Sequence, residues 1–156
     1  MMLNRLWFNR SQVLVLAFVW LLLDQAIKAW VQAQLLPSEP LALWPGVFQI
    51  TLVYNTGAAF SMLEQHPALL LGVTIALFFI LLFFAFRQAH IDKLWLMAYS
   101  LVLGGALGNI VDRISLGKVV DYLDFVLIQY PVFNFADTCI FIGVALLIIR
   151  QLRTNF

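Results

Sequence analysis

Apolar residues run almost unbroken over four stretches of this chain, about 13–35, 67–86, 94–111 and 133–149, and the polar positions gather between them. A bilayer core about 30 Å thick takes roughly 20 mostly apolar helical residues to cross, so each stretch is predicted to be a membrane-spanning helix. Arg5 and Arg10, Arg87 and Lys93, and Arg150 and Arg153 flank these stretches. If the four spans alternate in direction, these charges share one side, which the positive-inside rule makes cytoplasmic. Both termini then lie inside and segments 36–66 and 112–132 face outward. The prediction is an α-helical membrane protein, a single domain over 1–156.

Composition agrees: 63% of the residues are hydrophobic and 11% charged, with a net charge of +1. That balance belongs to a chain dissolved in lipid, and the scattered basic residues do not suggest nucleic acid as a partner. A lone cysteine, Cys139, excludes an intramolecular disulfide and a cysteine metal site. Set in an apolar run, it is expected to pack and not to act as a nucleophile. His66 and His90 have no metal-ligand spacing and are read as interfacial residues.

The first stretch has some marks of a cleaved signal peptide, with Arg5 and Arg10 before an apolar core and a Val-Gln-Ala at 31–33. Asp24 and Lys28 weigh against that, because an i, i+4 charged pair on one face suits a retained helix that buries it in a bundle. The pair is read as a structural clamp, with a supporting role beside an active centre as an extra function. The second stretch has Thr74 as its only polar side chain and reads as a lipid-facing wall.

Between the first two spans, Pro37, Pro40, Pro45 and Gly46 punctuate a loop, and 48–54 alternates partly with period two, which predicts a strand. Its Phe48, Ile50 and Leu52 are expected to lie on the membrane surface. Asn55, Thr56 and Gly57 follow as a turn.

The richest stretch is 104–137, which holds Asp112, Asp121, Asp124 and Asp137, half of the eight acidic residues. Gly105, Gly108, Asn109 and Asp112 share a helix face at i, i+3, i+4 and i+7, and Asn134 and Asp137 repeat the i, i+3 relation. Gly104 and Gly108 form a small-residue pattern that lets helix backbones approach closely. Asp137 falls roughly one turn, near 5 Å, inside its span. Three carboxylates and two amides thus gather near the outer interface, and Val119 and Val120 are expected to seat the intervening segment in that interface.

Three chemistries fit such a cluster. Two aspartates sharing one proton across a water can hydrolyse a peptide, since like charges that close cannot both ionise in a low dielectric. This route needs no serine, cysteine or histidine, and no metal or other cofactor. Alternatively, carboxylates hold Mg²⁺ for phosphoryl transfer, although closely spaced aspartates for that are missing. Ion or proton transport is the third, but the second span offers no polar pathway. A structural polar knot would leave the pairing of Asp121 with Asp137 unexplained.

DQAIK (24–28), NTGAAFS (55–61), GGALGNIVDR (104–113), VVDYLDF (119–125) and FNFAD (133–137), in this order, closely resemble the conserved boxes of the bacterial lipoprotein signal peptidase, or type II signal peptidase, family. The resemblance implies an aspartyl endopeptidase of the inner membrane with four transmembrane helices, a small periplasmic β-cradle and cytoplasmic termini. It maps the catalytic pair onto Asp121 and Asp137. Asn55, Gly57, Gly105, Asn109, Asp112, Arg113 and Asn134 become substrate-binding or orienting residues, and Asp24 and Lys28 a structural polar pair. The implied substrate is a prolipoprotein whose cysteine already bears diacylglycerol, cut just before that cysteine. Membrane lipid and globomycin-like cyclic peptide inhibitors are the other implied ligands, and nothing calls for a dimer. Asp112, adjacent to Arg113, is expected to form an ion pair or position its neighbours. Asp124 is expected to be structural, and Ser61 lacks a base partner.

Overall fold

The computed structural model describes residues 8–37, 39–57, 65–88, 91–128 and 130–154. Arg5, His90, Ser61 and the rest of positions 58–61 therefore lie outside the described residues. Four helices cover the four apolar stretches: α1 (Arg10–Gln34), α2 (Pro67–Arg87), α3 (Lys93–Leu116) and α4 (Phe135–Thr154). All four are long and apolar enough to cross a membrane.

Local chemistry sets most helix ends. Asn9 caps α1 by accepting from the Gln12 backbone at 3.0 Å, while the Gln12 side chain accepts from the Asn9 backbone at 2.8 Å, a reciprocal capping box. Pro67 opens α2, where its missing N–H costs nothing. Asp92 caps α3 through the Trp95 backbone at 3.0 Å, and Gly117 ends that helix with a φ of 71°.

α3 is the central helix. Its most apolar window is 72% buried, against 22% in α1, 11% in α2 and 17% in α4. Phe18, Phe79 and Phe141 are exposed on the outer helices, an arrangement that costs nothing where the surrounding medium is hydrocarbon. Glycines let the neighbours close on α3. A methyl group at Gly104 would stand 2.6 Å from the Ala17 carbonyl oxygen and from Trp20 Cβ on α1, while one at Gly105 would strike the Ala136 carbonyl and one at Gly108 the Asp24 carboxylate. Cys139 is buried in the α3–α4 contact, opposite Gly105.

At one end of the bundle, Arg150 pairs with Asp92 at 2.7 Å and lies over Trp95, and Phe8 bridges to Ile91. At the other end sits an antiparallel sheet in the order β1 (Leu41–Trp44), β2 (Phe48–Asn55), β3 (Val119–Asp124). β1 occupies a segment expected to be loop. Pro45 and Gly46, with φ 73° at Gly46 and the Val47 amide donating to the Trp44 carbonyl at 2.9 Å, make a tight turn that folds β1 onto β2. Both are turn formers, so the hairpin signal was present in the sequence.

Two expectations for the sheet are overturned. Leu52 is buried with Val31, Val120 and Tyr122, and Ile50 packs against that cluster, so the apolar face of β2 turns towards α1 and β3 and not towards lipid. Val119 and Val120 are likewise buried core residues and not interfacial ones. The reason is the sheet itself, since once β2 pairs with β3 the alternating residues of both strands have a protein surface to cover. Exposed apolar residues at this end include Leu41, Leu43 and Trp44 on β1, and Leu127 and Ile128 beyond β3.

Candidate active site

The start of α4 is built by tertiary contacts. A helix leaves its first four N–H groups without intrahelical partners, and here each has one. The Asn134 amide donates to Asp137 Oδ2 at 3.1 Å, Phe135 to Tyr122 Oη at 3.2 Å, Ala136 to Asp24 Oδ1 at 3.0 Å and Asp137 to Asn134 Oδ1 at 2.9 Å. Asn134 and Asp137 thus form a reciprocal cap in which the third helical residue is an aspartate. Its carboxylate is fixed against the positive end of the helix dipole.

Asp121 reaches the same place from β3, which pairs Asp121 with Val53 on β2. Asn134 Nδ2 donates to Asp121 Oδ1 at 2.7 Å and Asn55 Nδ2 to Asp121 Oδ2 at 2.9 Å. Asn109 Nδ2 donates to Asp137 Oδ1 at 2.7 Å. Each carboxylate therefore accepts two hydrogen bonds, all from amides. The amide orientations are set by their other contacts: Asn55 Oδ1 accepts from the Gly57 amide at 2.9 Å, and Asn109 Oδ1 from Lys28 Nζ at 3.1 Å and Asn134 Nδ2 at 3.2 Å. Burial, and after it the charge of Asp137, pushes the Asp121 carboxyl up to about 6, against the hydrogen bonds from Asn55 and Asn134. Donors aimed at all four carboxylate oxygens suit a shared proton and a water between the pair, and would repel a cation.

Both aspartates open onto a cavity of about 630 Å³. Asn55, Gly57, Asn109 and Arg113 complete its polar end, while Val53, Tyr130, Ile140 and Phe141 make an apolar wall. Arg113 Nη2 donates to the Gly57 carbonyl at 3.3 Å, which ties α3 to the turn after β2.

Asp112 turns away from this cavity. Its Oδ2 lies 2.8 Å from Lys28 Nζ and accepts from the Val120 amide at 3.1 Å, and its Oδ1 accepts from Gln25 Nε2 at 2.9 Å. Lys28 Nζ lies 2.8 Å from Asp24 Oδ2 as well. The expected clamp is there, extended to a second carboxylate, and its Asp24 also accepts from the amide of Ala136, next to Asp137. The ion-pair partner of Asp112 is Lys28 and not its neighbour Arg113, because consecutive helix residues point about 100° apart.

Structure thus brings Asp121, Asp137, Asn55, Gly57, Asn109 and Arg113 to one cavity, with Asn134 behind them. Asp24, Lys28 and Asp112 form a buried network beside the cavity, joined to it through Asn109. Gly105 does not line the cavity; it is a contact point between α3 and α4. Asp124 accepts from Gln49 Nε2 at 2.7 Å across the sheet, apart from the site. Sequence reasoning passed over Gln25 and Tyr122. Each sits inside a recognised box, but a polar residue beside an aspartate in sequence gives no sign of where its side chain ends, so only its polarity was a signal.

The model of the signal peptidase II family matches residues 16–153. The lipoprotein signal peptidase of Gloeobacter violaceus is 45% identical over 149 residues, covering 96% of this chain and 83% of that protein. The lipoprotein signal peptidase of a Nostoc species is 40% identical over 146 residues, covering 94% and 92%. A solved structure described as a bacterial membrane enzyme superposes with a TM-score of 0.86 at 29% identity, covering 96% of this chain and 92% of that one.

Proposed function

This chain belongs to the signal peptidase II family, and from that premise we propose that it is an intramembrane aspartyl endopeptidase that removes the signal peptide from diacylglyceryl-modified prolipoproteins, cutting before the lipidated cysteine. The observation that carries this reading is the pairing of Asp121 and Asp137 in one cavity with, among the described residues, only amide donors on their oxygens. Amides hold the two carboxylates in place, and among the described residues neither makes a direct ion pair, so the pair can share one proton. The ionised member takes a proton from the water between them, and the water attacks the scissile carbonyl carbon. The neutral member donates its proton to the carbonyl oxygen, giving a tetrahedral diol that collapses with proton transfer to the leaving amine.

The other roles follow from the cavity. Asn55, Gly57 and Arg113 face the peptide, Asn109 and Asn134 orient the carboxylates, and the apolar wall with Phe141 receives the lipidated end. Arg10, Arg87, Lys93, Arg150 and Arg153 cluster at the helix ends remote from the sheet, which supports an inner-membrane protein with cytoplasmic termini and the site at the periplasmic interface. Exposed Leu43, Trp44, Leu127 and Ile128 suit a cradle resting on lipid. The working unit is a monomer, and globomycin-like peptides would compete for the same cavity.

Purified protein in detergent is expected to cut a diacylglyceryl-modified prolipoprotein and to leave the unmodified precursor intact. Mass spectrometry of the product should place the cut before the cysteine. Folded but inactive Asp121→Asn and Asp137→Asn variants would support the dyad; near-wild-type activity in either would sink it.

A further inference from the structure

We propose that Lys28 is a positioning residue that sets the separation of Asp121 and Asp137, acting through the two carboxylates it holds. The inference rests on the aspartyl peptidase reading above and goes beyond it by giving the buried ion network a part in catalysis.

The geometry has a symmetry that a clamp for stability alone would not need. Asp112 Oδ2 accepts from the amide of Val120, the residue immediately before Asp121. Asp24 Oδ1 accepts from the amide of Ala136, the residue immediately before Asp137. Lys28 Nζ lies 2.8 Å from Asp112 Oδ2 and 2.8 Å from Asp24 Oδ2. One ammonium therefore joins, through one carboxylate on each side, the backbone of β3 to the backbone of α4 at the step before each dyad member. Its third contact, 3.1 Å to Asn109 Oδ1, turns the Asn109 amide nitrogen onto Asp137.

An ammonium has three donors, and all three are engaged here. Lys28 is 1% exposed, Asp24 0% and Asp112 2%, so water has no access to replace a lost contact. Asn134 links the two dyad side chains to each other, and backbone hydrogen bonds between Leu123 and Phe133 already join β3 to the segment before α4; Lys28 adds the tie at the step before each dyad member. The charged and titratable groups that act on the dyad are Lys28 from α1, Arg113 from α3 and Tyr122 from β3, with Asp24, Asp112 and Cys139 one step behind them.

A mere clamp predicts loss of folded protein, whereas a positioning residue predicts folded protein that reacts slowly. The test uses the full chain in detergent on diacylglyceryl-modified prolipoprotein, from about pH 4 to about pH 9, across which a two-group profile is read. Wild type is compared with Lys28→Met and with Asp24→Asn/Lys28→Met/Asp112→Asn. The triple variant buries no unpaired charge and keeps an acceptor for each backbone amide, so it reports even if the single variant does not fold.

Per folded molecule, kcat is expected to fall about 100-fold, the scale of a misplacement near 1 Å. KM should stay within about threefold, because the cavity wall is untouched. The bell-shaped pH profile should also narrow, since carboxylates free to move apart repel each other less. A triple variant with wild-type kcat, or with a reduced kcat but a bell of unchanged width, would overturn the inference. Wild type that fails on the lipidated substrate would remove the peptidase reading and this inference together; an active wild type with an unaffected triple variant removes this inference alone.

Discussion

Asp24 and Asp112 on one side, and Asp121 and Asp137 on the other, are two pairs of carboxylates at the same end of one helical bundle, and they are treated oppositely. The first pair meets an ammonium, with Lys28 2.8 Å from each, and has no opening. Among the described residues the second accepts hydrogen bonds only from amide N–H groups, and it lines a cavity of about 630 Å³. A carboxylate paired with a cation is a structural group whose charge is answered. One held by amides keeps its capacity to exchange a proton, and burial beside another carboxylate raises the energy of its ionised form. What distinguishes a scaffold acid from a reactive one is therefore the donor it faces and whether a substrate can reach it, not its depth or its neighbours in sequence.

The sharpest way to break this contrast is to neutralise one acid from each pair. Asp121→Asn is expected to lower kcat by about 10⁴-fold or more, the scale seen when a member of a catalytic unit is removed. Asp112→Asn still offers an oxygen to the Val120 amide and should retain measurable cleavage. Equal inactivity of the two folded variants, measured on lipidated prolipoprotein, would erase the distinction. Stability should respond in the reverse order. Lys28→Met strands two buried carboxylates and is expected to cost about 3–5 kcal/mol, the range for breaking one partner out of a buried pair. Denaturation in mixed micelles would report this, with recovery in the Asp24→Asn/Lys28→Met/Asp112→Asn variant.

A smaller loss is expected from Gly108→Ala, because the added methyl would strike the Asp24 carboxylate. Overpacking of that kind costs about 1–3 kcal/mol, and a melting temperature equal to wild type would show that α1 can yield there. The most delicate test concerns Asn55, whose hydrogen bond opposes the upward push on Asp121. Asn55→Ala removes that bond, so the limb of the kcat/KM profile governed by Asp121 should move to higher pH; a shift to lower pH would contradict the arrangement.

Asp121 also leaves a mark on stability. Its folded-state value of about 6 lies above the ordinary carboxylate value near 3.8, so between the two the folded chain holds a proton that the unfolded chain has released. Its contribution to stability is therefore greatest below that window and declines as pH rises through it. Asp121→Asn should lack this decline, which melting curves at about pH 4 and about pH 7 would compare.

The sequence carried the four helices because a run of apolar residues long enough to cross a bilayer has few other uses. It also carried the gathering of Asn109, Asp112, Asn134 and Asp137, because helical spacing fixes which residues share a face. The hairpin of β1 and β2 was half legible, in the period-two pattern of β2 and the Pro45–Gly46 turn. Its inward face was not. Whether Leu52 meets lipid or Val120 depends on a strand that begins at Val119, far along the chain, and no local pattern encodes that pairing.

Much the same holds for the acids. Their number, order and membership of family boxes were fixed by the chain alone, and those boxes brought Asp121 and Asp137 forward as a pair. Only the tertiary structure decided that Asp112 leans on Lys28 and turns its back on the cavity, that Gly105 serves a helix contact, and that Gln25 and Tyr122 complete the two sets of partners. Hydrogen bonds and ion pairs act over about 3 Å, and the groups that satisfy them come from five different helices and strands, α1, β2, α3, β3 and α4. Sequence places a side chain on its own element, but its partner is set by how the elements pack.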